Sequence, residues 1–468
     1  MSNASFEVIS PVDGRVYATR DYASAGQIDE ALRLANAARI PWRQTPLAER
    51  ARIVVDFVEQ MGARADDLAE ALSWQMGRPR AQADETPRLI ESTRYAAEQA
   101  AAVLAEEAYP AGTVDGRQVR RFVRPWPGGV HLSICAWNYP TAMLGSLVSD
   151  PLLTGNVVIL KHSPQTPLIA EIAAEAFAAA GGPQGVFQSL HLSHDSAEAL
   201  LSDGAFSTVN FIGSVAGGRR ISEMAARSLT RVHLELGGKD PTYIRSDADL
   251  GLLVPQIAEG CFSNSGQSCC SVERIYVHES VHDRFVDALR EETLRWRVGH
   301  PFDDDPDIGP LWREQAADYV RAQIAAAEAS GAQRLLGDQR FGLDQPGSAY
   351  LAPEILVGAE QGMGIMRDEL FGPVACVAKV SGDEDALTLM NDSPFGLTAS
   401  VWTEDLDAGV RLLEELEAGT VYLNRCDHAD PYLPWGGVKQ SGLGRNNGKA
   451  GLIAATEAKS FHINHAVS

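Results

Sequence analysis

The chain contains no uninterrupted apolar run close to the roughly 20 residues that a membrane-spanning helix requires. It does not begin like a secretory leader either, because Met1-Ser2-Asn3-Ala4-Ser5 has neither a basic start nor an apolar core. Cysteine is sparse. The six (Cys135, Cys261, Cys269, Cys270, Cys376 and Cys426) form no CxxC pair and no Cys/His spacing of a metal site, so no metal is expected. Cys269 and Cys270 are neighbours and poorly suited to a routine structural disulfide, which favours a reducing, cytoplasmic setting. Positive charge is also short. Forty Lys and Arg against 62 Asp and Glu leave a formal net charge of −22, and no basic stripe is present, so nucleic acid is excluded as a partner. The GxGxxG dinucleotide fingerprint, internal repeats and low-complexity tracts are all missing.

What remains is the composition of an ordinary globular protein, too long at 468 residues for one simple core, so two or three domains are expected. Residues 27–38, 51–61, 65–76 and 88–106 follow a helical period. Residues 119–124 alternate like an exposed strand, which is awkward to leave unpaired. From 130 to 237 strand-like segments (130–136, 157–161, 187–192, 209–212, 232–235) alternate with helical ones (169–180, 217–226). That order predicts an α/β fold with a doubly wound parallel sheet and a ligand crevice at the carboxyl ends of its strands. A second α/β unit follows, with helices at 252–261, 281–298 and 407–416, strands at 274–278 and 420–424, and a loop at 337–346.

Three stretches carry chemistry. Phe262-Ser263-Asn264-Ser265-Gly266-Gln267-Ser268-Cys269 surrounds a thiol with small polar residues instead of an apolar face. Leu234-Glu235-Leu236-Gly237-Gly238-Lys239 places a carboxylate before two glycines that let the chain approach a ligand. Ala136-Trp137-Asn138-Tyr139-Pro140 offers a side-chain amide, which on its own reads as a turn residue. Thiol, carboxylate and amide together can attack a carbonyl, move protons and hold an oxyanion.

With these motifs the sequence resembles the NAD(P)-dependent aldehyde dehydrogenases along nearly its whole length. The resemblance implies a dinucleotide-binding domain (1–106 and 127–237), a catalytic domain (238–445) and a β-strand oligomerisation arm (107–126 and 446–468), assembled as a homodimer or homotetramer. It implies Cys269 as nucleophile, Asn138 as oxyanion donor and Glu235 as the base that activates water against the thioester. Cofactor contacts are implied at Trp137, Lys161, Ser163, Gly213, Ser214, Gly218, Leu236, Gly237, Glu369 and Phe371. The aldehyde would be lined by Tyr139, Met143, Ser268, Cys270, Arg425, Asp427 and Trp435. Arg425 could hold a substrate carboxylate, or pair with Asp427 or Asp430.

Three departures stand out. Pro164 replaces a glutamate common in NAD-preferring members, which removes a negative charge beside the 2′ position and makes NADP plausible, with His162 available nearby; NAD versus NADP stays open. Ala136 replaces the usual proline, and Leu147 stands where many members carry a basic residue. Alternatives to aldehyde oxidation by water are a CoA-acylating semialdehyde dehydrogenase, a thiol esterase and a non-catalytic paralogue.

Overall fold

A computed structural model describes residues 4–115, 117–303, 306–337 and 341–465. Two α/β sheets dominate it. The first runs in the order Gly442–Leu443, Arg231–Glu235, Thr208–Ile212, Val130–Ile134, Val157–Lys161, Phe187–Ser189, parallel except for the short Gly442–Leu443 edge. Val130–Ile134 and Val157–Lys161 are buried along their whole length, as strands covered by helices on both faces must be. The chain starts this sheet at Val130–Ile134, builds outward on one side, then returns to build on the other. A crevice therefore opens between the carboxyl ends of Val130–Ile134 and Thr208–Ile212, the topological switch point where such sheets bind ligands.

The second sheet has seven strands: Gln333–Arg334, Glu354–Val357, Val374–Val380, Val272–His278, Asp240–Ile244, Thr398–Trp402 and Thr420–Leu423. All neighbours are parallel except the Gln333–Arg334 edge. Separate apolar clusters cover its two faces, one around Tyr276, Val320 and Leu370, the other around Ile257, Phe262 and Phe285. A third sheet has three strands. Arg117–Pro127 pairs antiparallel with Glu107–Val114 on one side and with Thr456–His465 on the other, and Phe122 stacks on Phe461 at 4.5 Å. Tyr109 and Ile463 on its flanking strands are exposed.

The observed elements correct several sequence expectations. The helix expected over 281–298 is only His282–Thr293. Beyond it Trp296 turns inward onto Phe262, and the Arg297 amide donates to Asp307 at 2.7 Å, which holds the chain in a loop. The strand expected to reach residue 192 stops at Ser189, while the first helix extends through Pro41 to Gln44. Glu314–Ala329, Asp383–Asn391 and His194–Ser202 are helices, and Val374–Val380 and Thr398–Trp402 strands, that the sequence reading passed over. Within the loop expected at 337–346, residues 338–340 lie outside the described residues. No helix among the described residues is long and apolar enough to cross a membrane.

Candidate active site

The helix Leu250–Phe262, capped by the Asp249 carboxylate, delivers the chain to the turn before Cys269. Three consecutive residues there are left-handed: Asn264 (φ 52°), Ser265 (φ 58°) and Gly266 (φ 71°). Only glycine fits at the third, because a Cβ on Gly266 would lie 2.3 Å from the Gly372 carbonyl oxygen. Side chains of the motif then close the turn. Asn264 Nδ2 donates to the Gln267 carbonyl at 3.2 Å, Gln267 Oε1 accepts from the Trp312 amide at 2.8 Å, and Ser265 Oγ donates to Gly309. Cys269 emerges half-buried at the end of this wound loop. Cys135, Cys261 and Cys376 are sealed in apolar packing that pushes their thiols up.

Asn138 follows the central strand Val130–Ile134 and is buried. Its Nδ2 donates to the Gln267 carbonyl at 3.2 Å, which ties the amide to the turn before Cys269 and leaves its second hydrogen uncommitted. The Asn138 carbonyl accepts from Arg78 Nη2 and, at 3.3 Å, from Asn264 Nδ2. Arg78 is itself buried, pairs with Glu85 at 2.5 Å and lies 4.4 Å from the Tyr139 ring centroid. The sequence reading gave neither Arg78 nor Glu85 a role; the one available signal was an arginine directly after a helix-ending glycine, which looks like any solvated helix end.

Glu235 ends the strand Arg231–Glu235 and is buried, with Oε2 lacking any hydrogen-bond partner. Burial pushes its carboxyl well above the usual range, and Arg445 only partly offsets this. The following glycines are sites of close approach. A Cβ on Gly238 would sit 2.4 Å from the Cys269 carbonyl oxygen, and one on Gly237 would sit 2.2 Å from Glu369 Oε2. Glu369 accepts from the Gly238 amide at 3.1 Å, and burial raises its carboxyl to about 8. Next to it Phe371 has a left-handed backbone (φ 54°), held by Glu273, which accepts from the Leu370 and Phe371 amides while pairing with buried Lys239.

One cavity of about 330 Å³ is lined by Cys269, Asn138 and Glu235 together. It also takes in Trp137, Gly213, Ser214, Leu236, Gly237, Glu369 and Phe371 of the expected cofactor residues. Trp137 stacks on Trp312 at 4.8 Å and meets Phe371 edge-on at 5.6 Å. Lys161, Ser163 and Gly218 lie outside the lining. Lys161 is buried at the end of Val157–Lys161, where desolvation lowers its ammonium to about 8. Ser163 Oγ accepts from the Gln165 amide, and Gly218 packs on Leu236. His162 points inward, bonded to Thr166 Oγ1 at 3.1 Å and lowered to about 4 by burial, so it does not present a cation beside the 2′ position. Leu147 is fully buried in a short π-helix, Gly145–Ser149.

On the aldehyde side Tyr139, Met143, Ser268, Cys270, Asp427 and Trp435 line the cavity. Arg425 does not: it is exposed, and it forms no ion pair with Asp427 or Asp430 among the described residues. Left-handed Asn424 and Asp427 turn the loop so that Asp427 faces inward instead. Its Oδ1 accepts from Ser268 Oγ at 3.1 Å and Cys270 Sγ at 2.9 Å. The cation that does line the cavity is Arg88, which donates to the Ala429 carbonyl. No cluster of metal-ligating side chains occurs among the described residues.

A thiol, an amide and a buried carboxylate thus meet in one crevice at the switch point of the first sheet. The chain belongs to the aldehyde dehydrogenase family, whose sequence model matches residues 1–461. It is 34% identical over 456 residues to succinate-semialdehyde dehydrogenase [NADP(+)] 1 of Mycobacterium tuberculosis, covering 97% of this chain and 99% of that one. It is also 34% identical to succinate-semialdehyde dehydrogenase [NADP(+)] of Deinococcus radiodurans, covering 97% and 94%. Among solved structures, lactaldehyde dehydrogenase from Escherichia coli superposes with a TM-score of 0.93 at 29% identity, covering 98% of this chain and 96% of that one. Succinic semialdehyde dehydrogenase from Streptococcus pyogenes, in complex with NADP+, superposes with a TM-score of 0.92 at 27% identity, covering 98% and 100%. The protein is an NAD(P)-dependent aldehyde dehydrogenase that oxidises an aldehyde to its acid.

Proposed function

We propose that Cys269 is the nucleophile, Asn138 the oxyanion donor and Glu235 the general base of this oxidation. The observation that carries the reading is the convergence of all three side chains on one cavity, from residues 131 positions apart or fewer in the chain but in separate elements. The Cys269 thiolate adds to the aldehyde carbon, and the resulting thiohemiacetal oxyanion accepts hydrogen bonds from Asn138 Nδ2 and the Cys269 amide. A nicotinamide held beside Glu369 and Phe371 would supply the two-electron acceptor for the hydride on that carbon, and loss of the hydride would leave a thioester on Cys269. Glu235, as carboxylate, takes a proton from water as its oxygen attacks the thioester, which releases the acid and restores the Cys269 thiolate.

The crevice suits a dinucleotide. Ser214 caps the helix Val215–Ser228 by accepting from the Gly217 amide, and the bare backbone at Gly213 and Gly237 leaves room beside Glu369. Glu369, with two acceptor oxygens, fits a ribose diol, and Phe371 a ring face. Lys161 and Ser163 would meet the adenosine ribose. With proline at 164 and no carboxylate there, NADP is the cofactor we favour, as in the names of the two succinate-semialdehyde dehydrogenases [NADP(+)]. The division into a dinucleotide-binding domain (1–106, 127–237), a catalytic domain (238–445) and an arm (107–126, 446–468) that pairs subunits belongs to the same proposal.

For the substrate, a semialdehyde tail carboxylate finds its cation in Arg88 at the cavity wall. A second reading rests on Asp427, whose Oδ1 is engaged but whose Oδ2 accepts no hydrogen bond among the described residues, so it can accept from a tail hydroxyl or ammonium. Steady-state oxidation of succinate semialdehyde, lactaldehyde and an uncharged aldehyde, each with NAD and NADP, separates the two. The first reading expects succinate semialdehyde to give the highest kcat/KM, with a KM raised about tenfold or more in Arg88→Ala. An unchanged KM in that variant rejects Arg88, and turnover only when CoA is added, with acyl-CoA as product in place of acid, rejects Glu235-activated water.

A further inference from the structure

The oxyanion donor is only as good as its placement, and that placement depends on a side chain outside the cavity. Arg78 uses all three of its nitrogens: Nε donates to Asn264 Oδ1 at 3.0 Å, Nη1 to Glu85 Oε1 at 2.5 Å, and Nη2 to the Asn138 carbonyl. Each contact is buried. Glu85 extends the clamp, with Oε2 accepting from the Thr141 and Ala142 amides at 2.8 and 2.9 Å. The same planar fork therefore grips the loop that carries Asn138 from both ends. Through Asn264 it also grips the turn that carries Cys269, since Asn264 Nδ2 reaches both the Asn138 and the Gln267 carbonyls.

We propose that Arg78, backed by Glu85, is a positioning residue that sets the register between the Asn138 amide and the Cys269 turn. The inference rests on the reading of Asn138 as oxyanion donor. A guanidinium is needed because three acceptors lie around one plane; an ammonium at the end of a lysine is a single point and can satisfy only part of that set. The Tyr139 ring, 4.4 Å from the guanidinium carbon, closes the remaining face and fixes the plane. Neither Arg78 nor Glu85 lines the cavity, so neither touches the reacting atoms.

The test is a double-mutant cycle read on hydride transfer in the full-length enzyme, with succinate semialdehyde as substrate and NADP binding measured separately. Asn138→Ala alone should slow hydride transfer about 10²–10³-fold. Arg78→Lys should slow it about 10²-fold by misplacing that donor, while the affinity for NADP stays within about twofold of wild type. In the Asn138→Ala background, Arg78→Lys should add little, because the donor it positions is gone. Glu85→Gln, which keeps the guanidinium and most of the side-chain volume, should show a weaker loss of about tenfold with the same non-additivity. It serves if Arg78→Lys does not fold. A multiplicative double mutant, or a loss of NADP affinity equal to the loss of rate, overturns the proposal and makes the pair a structural one. Full hydride transfer in Arg78→Lys with Asn138→Ala impaired overturns it while sparing the role of Asn138. Full activity in Asn138→Ala ends both.

Discussion

Replacing Glu235 by glutamine tests two properties of one buried carboxyl. The carboxyl lies fully inside the protein with one oxygen lacking a partner, and desolvation holds its pKa well above the ordinary carboxylate range. In the unfolded chain the same group ionises near 4.5. Between those two values the folded state keeps a proton that the unfolded state has released, so stability falls as pH rises. The slope for one such proton is about 1.4 kcal/mol per pH unit. Glutamine carries no titrating proton, so the other groups cancel when wild type and Glu235→Gln are compared. The variant should gain on wild type as pH is raised from 5 to 7, read as a widening difference in thermal midpoint. In activity the direction reverses. Glu235→Gln should still yield a burst of reduced cofactor from thioester formation, then turn over about 10²–10⁴-fold more slowly for want of a base. Wild-type thioester hydrolysis should rise with pH, since only the carboxylate accepts a proton. A stability difference that does not change with pH would refute the buried, neutral carboxyl, and unchanged steady-state turnover would refute the base.

Gly238→Ala places a Cβ 2.4 Å from the Cys269 carbonyl oxygen, so Cys269 must shift. Hydride transfer should fall about 10²-fold in stopped-flow assays, with the far-UV circular dichroism spectrum unchanged. For Lys161, lowered to about 8 by burial, the ammonium is present below that pH and lost above it. Cofactor affinity measured by fluorescence quenching should therefore weaken as pH rises through about 8, and Lys161→Ala should be weaker throughout and lose that step. A flat wild-type profile would remove Lys161 from the cofactor site.

The sequence disclosed those parts of the site whose chemistry is local. Strand Val157–Lys161 was readable because every one of its residues is apolar up to the lysine, and the turn before Cys269 because its small polar residues and glycine suit left-handed backbone. Long-range pairing was not readable. Arg78 meets Asn264 across 186 residues, and no local pattern distinguishes it from a solvated arginine. Arg425 failed for the converse reason: it sits in the right loop, but the left-handed residues on either side of it decide which side chain faces the cavity. Helix Glu314–Ala329 was missed although its buried face, Ala317, Val320, Ile324 and Ala327, keeps a helical period, because alanine makes that face only weakly apolar.

The hairpin-like exchange between Trp435 and Asn446, at 2.8 and 2.7 Å, and the Gly442–Leu443 strand beside Glu235 come from residues 200 or more positions beyond Glu235 in the chain. The carboxyl on the first sheet therefore acquires its wall only through long-range pairing, so its desolvation reports the completed tertiary fold and not the formation of its own strand.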